Sequence, residues 1–146
     1  MWRVTHGSSM LNISAATSSL VAALIHAWVM PEHFEEWWGY GAFFLASTVA
    51  QGVLPLVLVR QPRPWHLLAG IAGNLAIIAL YVVTRTRGIP LAGPRMGEVE
   101  GVGPLDLAAT AVEAGLILML VVMLVKLWRT SVLSLPKSTV AGHSTE

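Results

Sequence analysis

Residues 104–127 read PLDLAATAVEAGLILMLVVMLVKL, an apolar run with a proline in its first turn, where a missing N–H costs least. A bilayer core of about 30 Å needs roughly 20 apolar residues of helix, and this stretch meets that length. A carboxylate, Glu113, lies well inside the run. The sequence therefore predicts a membrane-spanning helix that carries an acid within the bilayer.

Three further stretches have the same length and character, near residues 11–30, 38–59 and 65–84. The 146 residues are 55% hydrophobic and 12% charged, with a mean hydropathy of +0.67, whereas a soluble domain has about 25% charged residues. We therefore expect an all-α integral membrane protein in which residues 1–130 form one four-transmembrane-helix bundle. A polar, flexible cytoplasmic tail is expected over 131–146.

Composition also excludes several classes of function. The formal net charge is only +1, so no large basic surface is available for nucleic acid. The chain has no cysteine, which excludes disulfides, thiolate zinc sites and iron–sulfur clusters. No nucleotide-binding motif, nucleophile–base pair or paired catalytic carboxylates are found, so we expect no enzymatic activity.

The distribution of lysine and arginine predicts the orientation of the helices, because cytoplasmic segments are enriched in positive residues. One end of the bundle holds six of them: Arg3, Arg60, Arg63, Lys126, Arg129 and Lys137. The other end holds three: Arg85, Arg87 and Arg95. Both termini are therefore expected in the cytoplasm. The first helix could instead be a cleaved signal peptide, but Met30-Pro31-Glu32 is not a small-x-small cleavage site, and a retained helix is favoured.

Polar residues recur along one face of each predicted helix. We call the set formed by His26, Gln51, Asn74, Tyr81 and Glu113 the polar seam. Such faces are costly in lipid and are expected to meet in the bundle interior. Two interpretations remain open for them. Small and polar residues can simply join the helices through close packing and hydrogen bonds, or they can form a functional site.

Glu113 and His26 are the members of the polar seam with acid–base chemistry. A carboxylate near mid-bilayer costs about 2.5 kcal/mol or more unless it is protonated or paired. Glu113 lies about 13 Å along its helix from Pro104, and His26 lies about 6 Å from the predicted end of the first helix at residue 30. A His–Glu pair is typical of proton relays and cation sites. The alternative is a protonated Glu113 that is hydrogen-bonded to a neighbouring helix.

The segment after the first helix, Pro31-Glu32-His33-Phe34-Glu35-Glu36-Trp37-Trp38, suggests a short helical turn at the membrane surface that opens at Pro31. An imidazole and carboxylate site for Zn²⁺ or Cu²⁺ is the alternative interpretation. Its ligands would be His26, His33, Glu32 and Glu36.

Arginines on the same side of the bundle are more suitable partners for these acids than a metal ion. We predict ion pairing on this face among Glu35, Arg85, Arg87 and Asp106. Arg95 lies in the same long loop, so pairs of this kind would tie the first turn to the loop before the fourth helix.

The chain has a likeness to known sequences over most of residues 20–120. The likeness lies in the surface turn at 31–37, in the segment Thr84-Arg85-Thr86-Arg87-Gly88-Ile89-Pro90, and in the acids Asp106 and Glu113. It resembles small uncharacterised four-helix integral membrane proteins of GC-rich bacteria. The resemblance implies a multi-pass protein of a bacterial plasma membrane and no particular activity. Small multidrug exporters differ, because their key glutamate lies in helix one, where this chain has His26.

Two functions agree with these observations. The first is an accessory or structural subunit of a larger bacterial plasma-membrane complex, because the chain is small and has no cofactor motif. The alternative is binding or transport of a proton or metal cation through the polar seam, centred on His26 and Glu113. The expected partners are the lipid bilayer and other membrane subunits or further copies of the chain. A self-associating first helix could use Ala15, Ser19 and Ala23, or these small residues could pack within one chain.

Overall fold

The computed structural model describes residues 6–60, 62–89 and 93–133. These residues form four α-helices and no strand: α1 His6–Glu36, α2 Trp38–Arg60, α3 Pro64–Thr86 and α4 Pro104–Leu133. Each helix is long and apolar enough to cross a membrane. The predicted all-α class is confirmed for these residues, and four such helices are consistent with the predicted multi-pass architecture. Residues 134–146 of the predicted tail, and the orientation residues Arg3 and Lys137, lie outside the described residues.

The first helix is longer than the sequence predicted, because it continues through Pro31 to Glu36. No separate turn opens at Pro31. A proline inside a helix removes one backbone donor, which membrane helices tolerate when nearby groups compensate. The His33 ring nitrogen Nδ1 lies 2.8 Å from the Val29 carbonyl oxygen and adds a hydrogen bond across this turn. Only Trp37 then separates α1 from α2, so this connection is very tight.

The helices are not packed equally. α1 packs most extensively against α2, and it also contacts α4, which in turn packs against α3. α2 and α3 touch only slightly, although the turn between them is short. The two helices are therefore splayed rather than packed face to face. Small facing residues, including Ala50, Ala69 and Gly73, leave room between the two helices.

An apolar core fills the half of the bundle near the α2–α3 turn. Leu58, Leu67, Leu116 and Leu120 are fully buried there, together with Ala15 of α1, and the adjacent Ala16 is nearly so. Ala15, Ser19 and Ala23 are all buried within this one chain. Their small side chains thus serve packing inside the monomer, chiefly against α2.

The loop between α3 and α4 folds back on the bundle. Gly88 has φ +67°, and a Cβ there would lie 2.5 Å from the backbone oxygen of Glu98, so this bend requires glycine. The Glu100 amide donates to the Thr84 carbonyl oxygen at 3.1 Å. Arg95 Nε lies 3.1 Å from Glu36 Oε1, which joins the loop to the end of α1. The loop thus covers the end of the bundle opposite the α2–α3 turn.

Candidate functional site

His26 and Glu113 form a buried pair in the bundle interior. His26 is 4% exposed and Glu113 is 1% exposed. Atoms His26 Nε2 and Glu113 Oε1 are 2.9 Å apart. Because α1 extends to Glu36, His26 lies about 15 Å from the end of its helix, close to the depth of about 13 Å for Glu113. The extra turns of α1 therefore bring the imidazole level with the carboxylate.

Two amides complete a hydrogen-bonded group that takes one residue from each helix. Gln51 Nε2 on α2 donates to Glu113 Oε1 at 2.9 Å and to Asn74 Oδ1 on α3 at 3.0 Å. Asn74 Nδ2 donates to the Gly70 carbonyl oxygen at 2.8 Å, and Ser19 Oγ donates to the Gln51 backbone oxygen at 2.7 Å. We call His26, Gln51, Asn74 and Glu113 the buried network.

Hydrogen bonding indicates which atoms of the buried network donate. The Gln51 amide nitrogen faces two oxygens, so it uses both of its protons. Glu113 Oε1 accepts one of these bonds, and it accepts a second when His26 carries a proton on Nε2, a tautomer inferred from the contacts. Among the described residues, His26 Nδ1 and Gln51 Oε1 have no hydrogen-bond partner. The site has an excess of acceptors, which suits a proton or another small cation.

A cavity of about 100 Å³ connects the buried pair with the loop end of the bundle. We call it the vestibule, and its polar lining consists of His26, His33, Tyr81, Thr84, Arg85, Glu100, Asp106, Thr110 and Glu113. Phe43 and Phe44 of α2 form part of its apolar wall. The vestibule thus places hydroxyl and charged groups between the loop and the His26–Glu113 pair.

Charged residues line the mouth of the vestibule. Arg85 on α3 pairs with Asp106 at 2.7 Å between Nη2 and Oδ2, and its Nη1 pairs with Glu100. Asp106 Oδ2 also accepts the Gly103 N–H at 3.0 Å, at the start of α4. The Arg85 guanidinium lies over the Tyr81 ring, 5.1 Å from its centroid. With two carboxylates to one guanidinium, the mouth has a net negative charge that favours cations.

The chain matches no protein-family model, no curated protein and no solved structure. Its function is therefore argued from the geometry of the buried network and the vestibule.

Most of the polar seam predicted from the sequence meets in the structure. Four of its five members form the buried network. Tyr81 lines the vestibule and contacts Arg85, but no hydrogen bond joins its side chain to the buried network among the described residues. The pairing of His26 with Glu113 is the contact that the sequence proposed.

The predicted metal ligands do not assemble. Among residues 6–60, 62–89 and 93–133, no three His, Asp or Glu side chains are placed to hold a metal ion. His26 is bonded to Glu113, and His33 is bonded to a backbone oxygen and stacks on Phe44 with ring centroids 4.0 Å apart. Glu36 pairs with Arg95, and Glu32 is exposed. The continuous α1 helix separates His26 from the acids that follow Pro31.

The predicted ion pairs on the loop face form in part. Arg85 pairs with Asp106 as expected. Glu35 and Arg87 are exposed, and neither forms an ion pair within the described part of the chain. Glu100 was not among the predicted residues, because its position depends on how the loop folds back at Gly88. The only sequence feature that pointed to Glu100 was its position four residues before Pro104, at the start of the fourth helix.

Proposed function

We propose that the protein binds a proton at the His26–Glu113 pair and transports it across the membrane. One observation carries the proposal: an imidazole and a carboxylate are hydrogen-bonded at 2.9 Å, buried inside a four-helix bundle, and both line the vestibule. Ionisable groups within membrane spans are typical of proton relays. The vestibule supplies the access from the loop end.

The contacts of the pair support a defined proton transfer. A proton that reaches the vestibule adds to His26 Nδ1, which has no partner among the described residues. The Nε2 proton of the resulting imidazolium then passes to Glu113 Oε1 at 2.9 Å. The pair takes up one proton, and its formal charge changes from negative to neutral. The Gln51 amide, which donates to the same oxygen, stabilises the ionised state.

A proton suits this site better than a metal ion. A metal ion needs three or more protein ligands in most sites, and no such group is found in the described residues. A proton needs only one donor and one acceptor at hydrogen-bond distance. Below the buried network, the leucine core around Leu116 and Leu120 blocks water. Transport to the other side therefore requires a change in helix packing, as in a carrier.

Glu113→Gln is expected to reduce proton uptake to the level of empty liposomes, because the amide keeps the size and polarity of the side chain but cannot ionise. The wild-type chain and the variant are reconstituted into liposomes with an internal pH dye and a K⁺ diffusion potential. Glu98→Gln is the control, because it removes an exposed loop carboxylate away from the vestibule.

Proton binding is measured separately, so that a requirement for a co-transported solute cannot hide it. Infrared difference spectra between two pH values are expected to contain a buried carboxyl band that is absent from Glu113→Gln and shifted in His26→Gln. Identical spectra for Glu113→Gln and the wild-type chain would refute a proton site at this pair. Unchanged flux through a folded Glu113→Gln protein would refute its role in transport.

We also propose three further properties: an orientation with both termini in the cytoplasm, a location in a bacterial plasma membrane, and an accessory role in a larger complex. The last is tested by gentle purification of the tagged chain from its own membranes with mass spectrometry of co-migrating proteins. A stoichiometric larger partner would make the chain a subunit, and a chain that migrates alone would favour the proton carrier.

A further inference from the structure

The gap between α2 and α3 is a second cavity, which neither His26 nor Glu113 lines. We call it the α2–α3 cleft; it has a volume of about 300 Å³ and a mostly apolar wall that includes Ala50, Leu54, Val57, Ala69, Gly70 and Gly73. Trp65 and His66 line it near the α2–α3 turn, and Gln51 and Asn74 line it near mid-membrane. From Trp65 to Ile77 the cleft follows α3 for about 18 Å, a little more than half the thickness of a bilayer core of about 30 Å. Its length is therefore comparable with that of one lipid leaflet.

Gly73 has no structural explanation within the chain. A Cβ built on it would meet no atom within 4 Å. Glycine weakens a helix relative to alanine, so a glycine in open space is not required by this fold. Gly70 differs, because a Cβ there would lie 2.9 Å from Leu120 Cδ1. The space at Gly73 suits the atoms of another molecule.

The end of the cleft near the turn is positively charged. Arg60 ends α2 and Arg63 precedes α3, and both are exposed. The Arg63 backbone N–H donates to His66 Nδ1 at 3.0 Å, so the neutral ring carries its proton on Nε2 and can donate there. Every acidic side chain in the described residues lies at the loop end or in the buried network. An anionic group at this turn therefore meets two guanidinium groups and an imidazole N–H, with no acid to repel it.

We propose that the α2–α3 cleft binds one anionic phospholipid. One acyl chain lies in the cleft against Gly73, and the phosphate of the headgroup is bound by Arg60, Arg63 and His66. Trp65, which is 60% exposed, is at the headgroup level where indole rings are enriched. The cleft reaches the buried network at Gln51 and Asn74, but neither His26 nor Glu113 lines it.

A second copy of the chain is a less suitable occupant. Two copies that met through the same cleft would be related by a two-fold axis, which places the same surface on both sides of the contact. Arg60 and Arg63 of both copies would then lie near one another and repel. A phospholipid brings the opposite charge instead.

Native mass spectrometry of the full chain in mild detergent tests the charge of the site. We titrate phosphatidylglycerol and phosphatidylcholine with identical acyl chains and count the molecules retained. The wild-type chain is expected to retain one phosphatidylglycerol in preference to phosphatidylcholine. R60Q/R63Q is expected to weaken this binding about 30-fold, from the attraction of two arginines at a lipid surface.

The control K126Q/R129Q removes the same number of charges at the same end of the bundle but on α4, away from the cleft, and its affinity is expected to stay within about twofold of wild type. Equal retention of the two lipids by the wild-type chain would overturn the proposal. An equal loss of affinity in both double variants would also overturn it, because binding would then depend only on the general charge of this end.

A second pair of variants tests the cleft itself. Gly73→Leu fills the space and is expected to abolish retention of phosphatidylglycerol. Gly115→Leu is the matched control, since Gly115 also lies in open space but on α4, outside the cleft, and it is expected to bind lipid like the wild-type chain. Retention that Gly73→Leu leaves unchanged would refute the cleft as the site. A dimer that dissociates in Gly73→Leu, with no lipid preference in the wild-type chain, would assign the cleft to a second copy.

Discussion

Gln51 takes part in three hydrogen bonds to other helices, more than any other residue of the buried network. Its amide nitrogen satisfies oxygens on α3 and α4, and its backbone oxygen accepts a hydrogen bond from Ser19 on α1. Three neighbouring helices are thus joined through one residue of α2. Polar contacts between membrane helices contribute about 0.6 to 2 kcal/mol each. Stability is therefore expected to depend on Gln51 more than on any residue with a single polar contact.

Gln51→Leu is expected to lower the free energy of unfolding by about 1–3 kcal/mol, because Glu113 and Asn74 lose their donors while the volume is kept. Unfolding in detergent is followed by circular dichroism. Asn12→Leu is the comparison, since Asn12 makes one longer hydrogen bond, 3.3 Å to the Leu58 oxygen. A loss for Asn12→Leu as large as that for Gln51→Leu would contradict the central role of Gln51.

The sequence predicted which residues have acid–base chemistry better than it predicted their depth in the membrane. His26 and Glu113 could be chosen because ionisable groups are costly in an apolar span. Their depths did not match, because Pro31 was taken as the end of the first helix. A proline removes one backbone bond, but the sequence does not reveal whether the helix continues past it. Glu100 could not be chosen at all, since its contact with Arg85 depends on the path of the loop.

At the scale of the helices, Gly70 and Gly73 give two nearly adjacent positions with opposite environments. Gly70 faces Leu120 and Leu54 at a close helix contact, and Gly73 faces the open α2–α3 cleft. Small residues at such spacing are typical of a close helix crossing, but only Gly70 lies at one. Helical periodicity places them on neighbouring parts of α3, but it does not specify which helix lies opposite each one.

Gly70→Leu is expected to lower the free energy of unfolding by about 1–3 kcal/mol, because the larger side chain overpacks the contact with α4. Gly73→Leu is expected to change it by less than about 0.5 kcal/mol, as for substitutions without close contacts. Thermal unfolding of the two variants in the same detergent gives the comparison. Equal destabilisation would indicate that α2 and α3 pack closely in the membrane.

The four helices themselves were predictable, because length and hydropathy determine which segments can span a bilayer. Their lateral order was not. A short turn brings the ends of two helices together, but it does not determine whether their faces pack. A cavity lies between α2 and α3, whereas the small face of α1 packs closely against α2.

At the scale of the whole molecule, charge is distributed unequally between the two ends. Among the described residues, the end with the α2–α3 turn carries Arg60, Arg63, Lys126 and Arg129 and no acid. The loop end carries three arginines together with most of the acids. Because positive residues are retained in the cytoplasm, we propose that the vestibule opens on the outer face.

Labelling of single cysteines is expected to give this orientation directly, since the chain has no cysteine of its own. In intact cells, a membrane-impermeant maleimide is expected to label Glu98→Cys in the loop. Thr130→Cys, near the end of α4, is expected to react only after the membrane is disrupted. The reverse pattern would mean that the vestibule opens toward the cytoplasm.

The buried network also has a consequence for how the chain is made. Its four residues belong to four helices, and α4, which brings Glu113, is synthesised last. Until then His26 and Gln51 have no carboxylate partner, and α4 inserts with an acid that costs about 2.5 kcal/mol in lipid. Glu113 gains its partners only when α4 packs against α1 and α2. A chain arrested before α4 would therefore keep the polar side chains of His26 and Gln51 without their carboxylate partner in the bilayer.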